Sequence, residues 1–113
     1  MGLDIPPWWK PYGVDMIVTL QYFDGCPNWR YTKELLGSLS AEFDFDLLLR
    51  LVSTPEEADR VGFRGSPTVL IDGTDPFANV EAPTGLACRV YATPDGLRGS
   101  PTVDLLRSAI AAR

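Results

Sequence analysis

The stretch Phe23-Asp24-Gly25-Cys26-Pro27-Asn28-Trp29 puts a cysteine where a strand-like segment hands over to a helical one. Residues 15–23 are rich in strand formers: Val18, Leu20 and Tyr22 alternate with Ile17, Thr19, Gln21 and Phe23, and Asp24-Gly25 is a turn signal. Pro27 suits the first helical position, where its missing N–H costs nothing, and Trp29, Thr32, Leu35, Leu36, Leu39 and Phe43 follow at helical spacing. Cys26 is therefore expected at the helix N-cap. A thiol there faces unpaired backbone N–H groups and the positive end of the helix dipole, which favour the nucleophilic thiolate.

Working outward, residues 45–52 run apolar through Leu47-Leu48-Leu49, as in a strand with at least part of both faces covered. Thr54-Pro55-Glu56-Glu57 is a capping box with proline at the first helical position, and Gly62 supplies the stop. Residues 68–71 read as a third strand, opened by Gly65-Ser66-Pro67 and closed by Asp72-Gly73. Residues 74–85 hold two prolines and no periodicity, long for a connection in a compact domain. Residues 86–92 read as a fourth strand, Thr93-Pro94-Asp95-Gly96 as a turn, and Ser100-Pro101 as the cap of a last helix with Val103, Leu106 and Ile110 on its apolar face.

The order β-α-β-α-β-β-α makes an α/β domain over residues 15–113. Residues 1–14 form a separate arm whose Pro6-Pro7-Trp8-Trp9 rules out a regular helix or central strand and is expected to pack extended on the domain. Arg64-Gly65-Ser66-Pro67-Thr68-Val69 recurs as Arg98-Gly99-Ser100-Pro101-Thr102-Val103. The first copy leads into a strand and the second into a helix, because proline is tolerated at the start of either, so the identity is not read as a structural repeat.

Composition excludes more than it selects. With 113 residues there is one domain, and a net charge of −5 argues against nucleic acid or an anionic membrane surface as the partner. There is no histidine, hence no Ser-His-Asp triad, Cys-His pair or Cys/His zinc site. Cysteine is the strong nucleophile left, and two of them are too few for a disulfide scaffold. The N-terminus lacks the apolar run of an export signal, so the expected compartment is a reducing cytoplasm.

Cys26-Pro27 at the first strand–helix junction, with Ser66-Pro67 before the third strand, resembles the thioredoxin/glutaredoxin superfamily over residues 15–112. Through Tyr22-Phe23-Asp24-Gly25-Cys26-Pro27-Asn28-Trp29 and Gly85-Leu86-Ala87-Cys88-Arg89-Val90-Tyr91 the chain is also similar to small bacterial thioredoxin-like proteins sometimes labelled alkylmercury lyase. The resemblance implies a four-stranded mixed sheet flanked by helices and thiol–disulfide exchange with Cys26 as nucleophile. It also implies a Pro67, in a cis peptide bond, lying against Cys26, and a Ser66 backbone free to pair with an extended thiol-bearing substrate. Gly99 and Ser100, before the last helix, are expected to receive a carboxylate such as that of glutathione. The implied partners are a protein or glutathione-like thiol or disulfide and a reductase, with no metal or organic cofactor.

Trp29 stands where dithiol members of that superfamily carry their second cysteine, and three readings stay open. Cys26 acts as a monothiol, or Cys88 resolves it from a distance, or the fold serves as a non-catalytic binding module. In a regular fourth strand Cys88 lies four residues from the cysteine end, about 13 Å at ~3.3 Å per residue, whereas a disulfide needs Cα atoms within roughly 7 Å. Cys88 reaches Cys26 only if residues 86–89 belong to the long loop and fold back. An organomercurial lyase-like or soft-metal role would instead need Cys26, Cys88 and Asp24 to converge.

Overall fold

The computed structural model describes residues 16–78 and 82–112; the arm expected over residues 1–14 lies outside them. The order is β1 (Ile17–Tyr22), α1 (Asn28–Phe43), β2 (Asp46–Leu51), α2 (Pro55–Val61), β3 (Thr68–Ile71), β4 (Tyr91–Thr93), β5 (Gly96–Arg98) and α3 (Val103–Ala111). β1 is the middle strand of a mixed sheet ordered β2-β1-β3, parallel to β2 and antiparallel to β3. β4 and β5 make a separate antiparallel hairpin.

Alternation along β1 and β3 divides the sheet into two faces. Val18, Leu20, Val69 and Ile71 pack with Leu36 and Leu39 of α1 and Leu106 and Ile110 of α3 in one buried cluster. A second cluster joins Val52, Ala58 of α2 and Phe63, with Phe23 and Leu86 packed on it. The expected caps of α2 form: Thr54 Oγ1 accepts from the Glu57 N–H at 3.1 Å, and Gly62 ends the helix in the left-handed region (φ 73°). The Glu57 carboxylate reaches back to the Ser53 N–H, one residue earlier than the usual box.

Three expectations change. Residues 86–92 are not a fourth strand of the sheet: a single bridge joins Ser66 to Cys88, and only Tyr91–Thr93 is strand, paired with β5. Pro67 has no N–H with which to extend a ladder from that bridge. β2 is not covered on both faces. It pairs only with β1 among the described residues and leaves Leu48, Leu49 and Leu51 exposed, so its apolar run belongs to a sheet edge. The last helix is capped by Thr102, whose Oγ1 accepts from the Leu105 N–H at 3.1 Å, and not by Ser100. Ser100 Oγ instead lies 3.3 Å from the carbonyl oxygen of Pro101.

The register that matters for the site is Gln21 opposite Thr68, which sets the start of β3 beside the end of β1. Leu106, fully buried between α3 and the sheet, holds that arrangement from behind. Leu106→Ala is expected to lower unfolding stability by about 2–5 kcal/mol through lost burial and a residual cavity, read as a reduced urea midpoint at unchanged slope.

Candidate active site

Cys26 is held by the turn that ends β1. Its N–H donates to the Phe23 carbonyl at 3.0 Å, and Pro27, already at helical angles, accepts from the Arg30 N–H at 3.1 Å. Pro27 is therefore the cap of α1 and Cys26 lies one residue outside it, a shift of one position from expectation. The cysteine is completely buried. Trp29 packs against the main core and stacks on Tyr22 with ring centroids 4.2 Å apart, so it serves the core.

The Ser66–Pro67 peptide bond is cis, as expected, and Ser66 lies against Cys26: the Cys26 sulfur is 3.7 Å from the Ser66 carbonyl oxygen. That contact is not a hydrogen bond here, because the sulfur carries no proton. Cys26 is joined to Cys88 in a disulfide, with Cα atoms 5.6 Å apart. Of the alternatives for residues 86–89, the fold-back is the one adopted.

The fold-back also fills the place expected for a substrate. The Ser66 N–H donates to the Ala87 carbonyl and the Ser66 carbonyl accepts from the Arg89 N–H, both at 2.8 Å. Ser66 thus has neither main-chain group free for an extended visitor, and its own hydroxyl is buried without a partner among the described residues. Gly65, at φ 121°, allows the approach: a Cβ there would stand 3.0 Å from the Arg89 Cβ and 3.2 Å from its Cα.

Arg89 anchors the segment. Its guanidinium pairs with Asp75 at 2.7 Å and donates to Thr68 Oγ1 at 3.2 Å and to the Phe77 carbonyl at 2.5 Å. It also sits over the Tyr91 ring, 4.7 Å from the centroid. Tyr91 in turn donates its hydroxyl to the Pro67 carbonyl at 2.5 Å. Burial above all holds the Tyr91 phenol well above its ordinary range; Arg89 opposes that shift and Asp75 adds to it. Further back, Gly85 N–H donates to the Phe63 carbonyl, and Arg64 Nε to the Ala82 carbonyl at 2.7 Å.

Sequence reasoning missed Arg89, Asp75 and Tyr91. The available signal was a lone cation in the otherwise uncharged run Gly85-Leu86-Ala87-Cys88-Arg89-Val90-Tyr91, with the opposite charge in the preceding loop. Gly99 and Ser100 line a separate pocket of about 440 Å3 between Asn28 and Tyr31 of α1 and Arg98 and Thr102. Asp24 is exposed, and among the described residues no three His, Cys, Asp or Glu side chains are grouped to hold a metal ion. The three-residue mercury site therefore does not assemble. No helix among the described residues is long and apolar enough to cross a membrane.

No protein-family model matches the chain, and the curated proteins hold no match to it.

Arg89→Met is expected to destabilise the oxidised protein by on the order of 3 kcal/mol, because Asp75 is left without its cation in a mostly buried site. A double-mutant cycle with Asp75→Asn, read by urea denaturation, should show the two losses to be strongly non-additive.

Tyr91→Phe is expected to cost about 1–3 kcal/mol by orphaning the buried Pro67 carbonyl. The folded-state pKa of Tyr91 is raised, so its contribution is intact below the unfolded phenol value of about 10 and is lost as pH rises beyond it. Denaturation at about pH 8 and about pH 11 should show a smaller alkaline loss in the variant than in the parent.

Proposed function

We propose that this protein is a thiol–disulfide oxidoreductase of thioredoxin-like architecture that works with the Cys26 and Cys88 pair. One observation carries the reading: two cysteines 62 positions apart are held in a bridge by a segment anchored on both sides of it. The parallel β1–β2 and antiparallel β1–β3 pairings support the architecture, as does a cysteine at the β1–α1 junction lying against the start of β3. Convergence of the two cysteines favours the two-cysteine cycle over the monothiol one.

The cycle exchanges the bridge with external thiols through a mixed disulfide. It needs no metal or organic cofactor. Its partners are low-molecular-weight or protein thiols and disulfides, with a reductase or a glutathione-like thiol as electron donor. The cytoplasm is the compartment in which such a bridge would open and close with turnover. The pocket lined by Gly99 and Ser100, near the start of α3, is the candidate place for a carboxylate of a glutathione-like thiol.

The test is catalysis of exchange between glutathione and a small disulfide. The parent should accelerate it, Cys26→Ser and Cys88→Ser should each slow it, and the protein carrying both changes should give no acceleration. No acceleration by the parent would reject the reading in favour of a non-catalytic module. Reduction should also lower stability by about 4 kcal/mol, the chain-entropy value for a loop of this length, seen as a lower denaturant midpoint with reductant. That shift should be absent in both variants.

A further inference from the structure

Burial separates the two cysteines. Cys26 has no accessible surface, whereas Cys88 is exposed. A cleft of about 570 Å3 lies on the sheet face opposite α1 and α3, lined by Gln21, Thr68, Asp75, Cys88 and Arg89. Cys26 is not part of its wall.

A thiolate attacks a disulfide sulfur, and which sulfur it takes depends on access. From these observations we infer that Cys88, not Cys26, is the sulfur at which external thiols and disulfides exchange, and that Cys26 is the buried resolving sulfur. This rests on the thiol–disulfide exchange reading above and reverses the order expected from the helix position of Cys26. In the reductive direction an incoming RS⁻ forms a bond to Cys88 Sγ, the Cys26–Cys88 bond breaks, and Cys26 leaves with the electron pair. A second RS⁻ then attacks the R sulfur, releasing RSSR and the Cys88 thiolate. In the oxidative direction the Cys88 thiolate attacks RSSR and expels RS⁻. Cys26, giving its proton to a departing RS⁻, then attacks Cys88 Sγ and expels the second. The protein pair loses two electrons and RSSR gains them.

Two features fit this order. The positive end of α1 begins next to Cys26 in the chain and favours negative charge on it as the leaving sulfur. The contacts of Arg89 with Asp75, Thr68 and Phe77 do not depend on the S–S bond, so Cys88 stays within reach of Cys26 while it carries R. The occupied Ser66 backbone also sets the substrate class. A partner that must add an extended strand at Ser66 finds it taken, so the incoming group is a low-molecular-weight thiol or disulfide.

The test uses glutathione. Oxidised parent protein is mixed with reduced glutathione, quenched early with acid and alkylating agent, and mapped by peptide mass spectrometry; the expected adduct is on Cys88. In parallel, Cys26→Ser and Cys88→Ser proteins, their folds checked by circular dichroism, are treated with glutathione disulfide. Cys26→Ser should gain glutathione at least about tenfold faster than Cys88→Ser, whose buried thiol must wait for local opening. A glutathione adduct on Cys26 of the parent, or equal or faster reaction of Cys88→Ser, overturns the inference and leaves the oxidoreductase reading standing. An adduct on Cys88 from a parent that does not accelerate exchange supports the order of attack while the oxidoreductase reading fails.

Discussion

A guanidinium with only 9% of its side chain exposed decides where Cys88 lies. A charge that deep is tolerated only with an opposite charge and with its remaining N–H groups satisfied. Asp75, the Thr68 hydroxyl and the Phe77 carbonyl meet those demands, and Asp75 is itself fixed by accepting from the Phe77 N–H at 2.8 Å. Once the Arg89 side chain is committed there, its N–H faces the Ser66 carbonyl, Ala87 faces the Ser66 N–H, and the residue between them is Cys88. The clamp and the disulfide thus hold the same residue from two sides.

The clamp has consequences for the sheet. A fourth strand beside β3 would have to continue hydrogen bonding past Ser66, but the next residue is a proline without a donor. The chain instead leaves the ladder after one bridge, and Tyr91 fastens it again by its hydroxyl to Pro67. Backbone pairing at Ser66 and side-chain bonding at Pro67 hold the segment at two adjacent points without a regular strand. The same arrangement leaves Gln21, Thr68 and Leu70 facing a cleft rather than a covering strand.

What the sequence made legible is what depends on neighbours along the chain. The β1 strand within residues 16–23, the Thr54 to Glu57 cap, the Gly62 stop and the helix after Pro27 are all local signals, and the structure has each of them. The misread parts depend on contacts distant in sequence. Leu47 to Leu49 look buried by composition, yet Leu48 and Leu49 are exposed because no strand among the described residues covers that edge of β2. Residues 86–92 have strand-like composition, but a cation fourteen positions beyond its carboxylate overrides it. The approach of Cys88 to Cys26 was legible only as an alternative, because spacing along the chain does not say whether a loop returns.

The six-residue identity shows that override within one molecule. In the first copy Thr68 Oγ1 donates to the Gly65 carbonyl at 2.6 Å and accepts from Arg89, and the residues continue as a strand against β1. In the second, Thr102 Oγ1 accepts from the Leu105 N–H and the residues turn into α3. The threonine is the same and its hydroxyl suits either use. The first copy is enclosed by β1 and the Arg89 clamp, while the second is followed by Asp104-Leu105-Leu106-Arg107, whose helical spacing buries Leu106 against the sheet. Context supplied by residues outside the hexapeptide therefore chooses between the two, and in the first copy it does so by placing Ser66 where the cysteine pair meets.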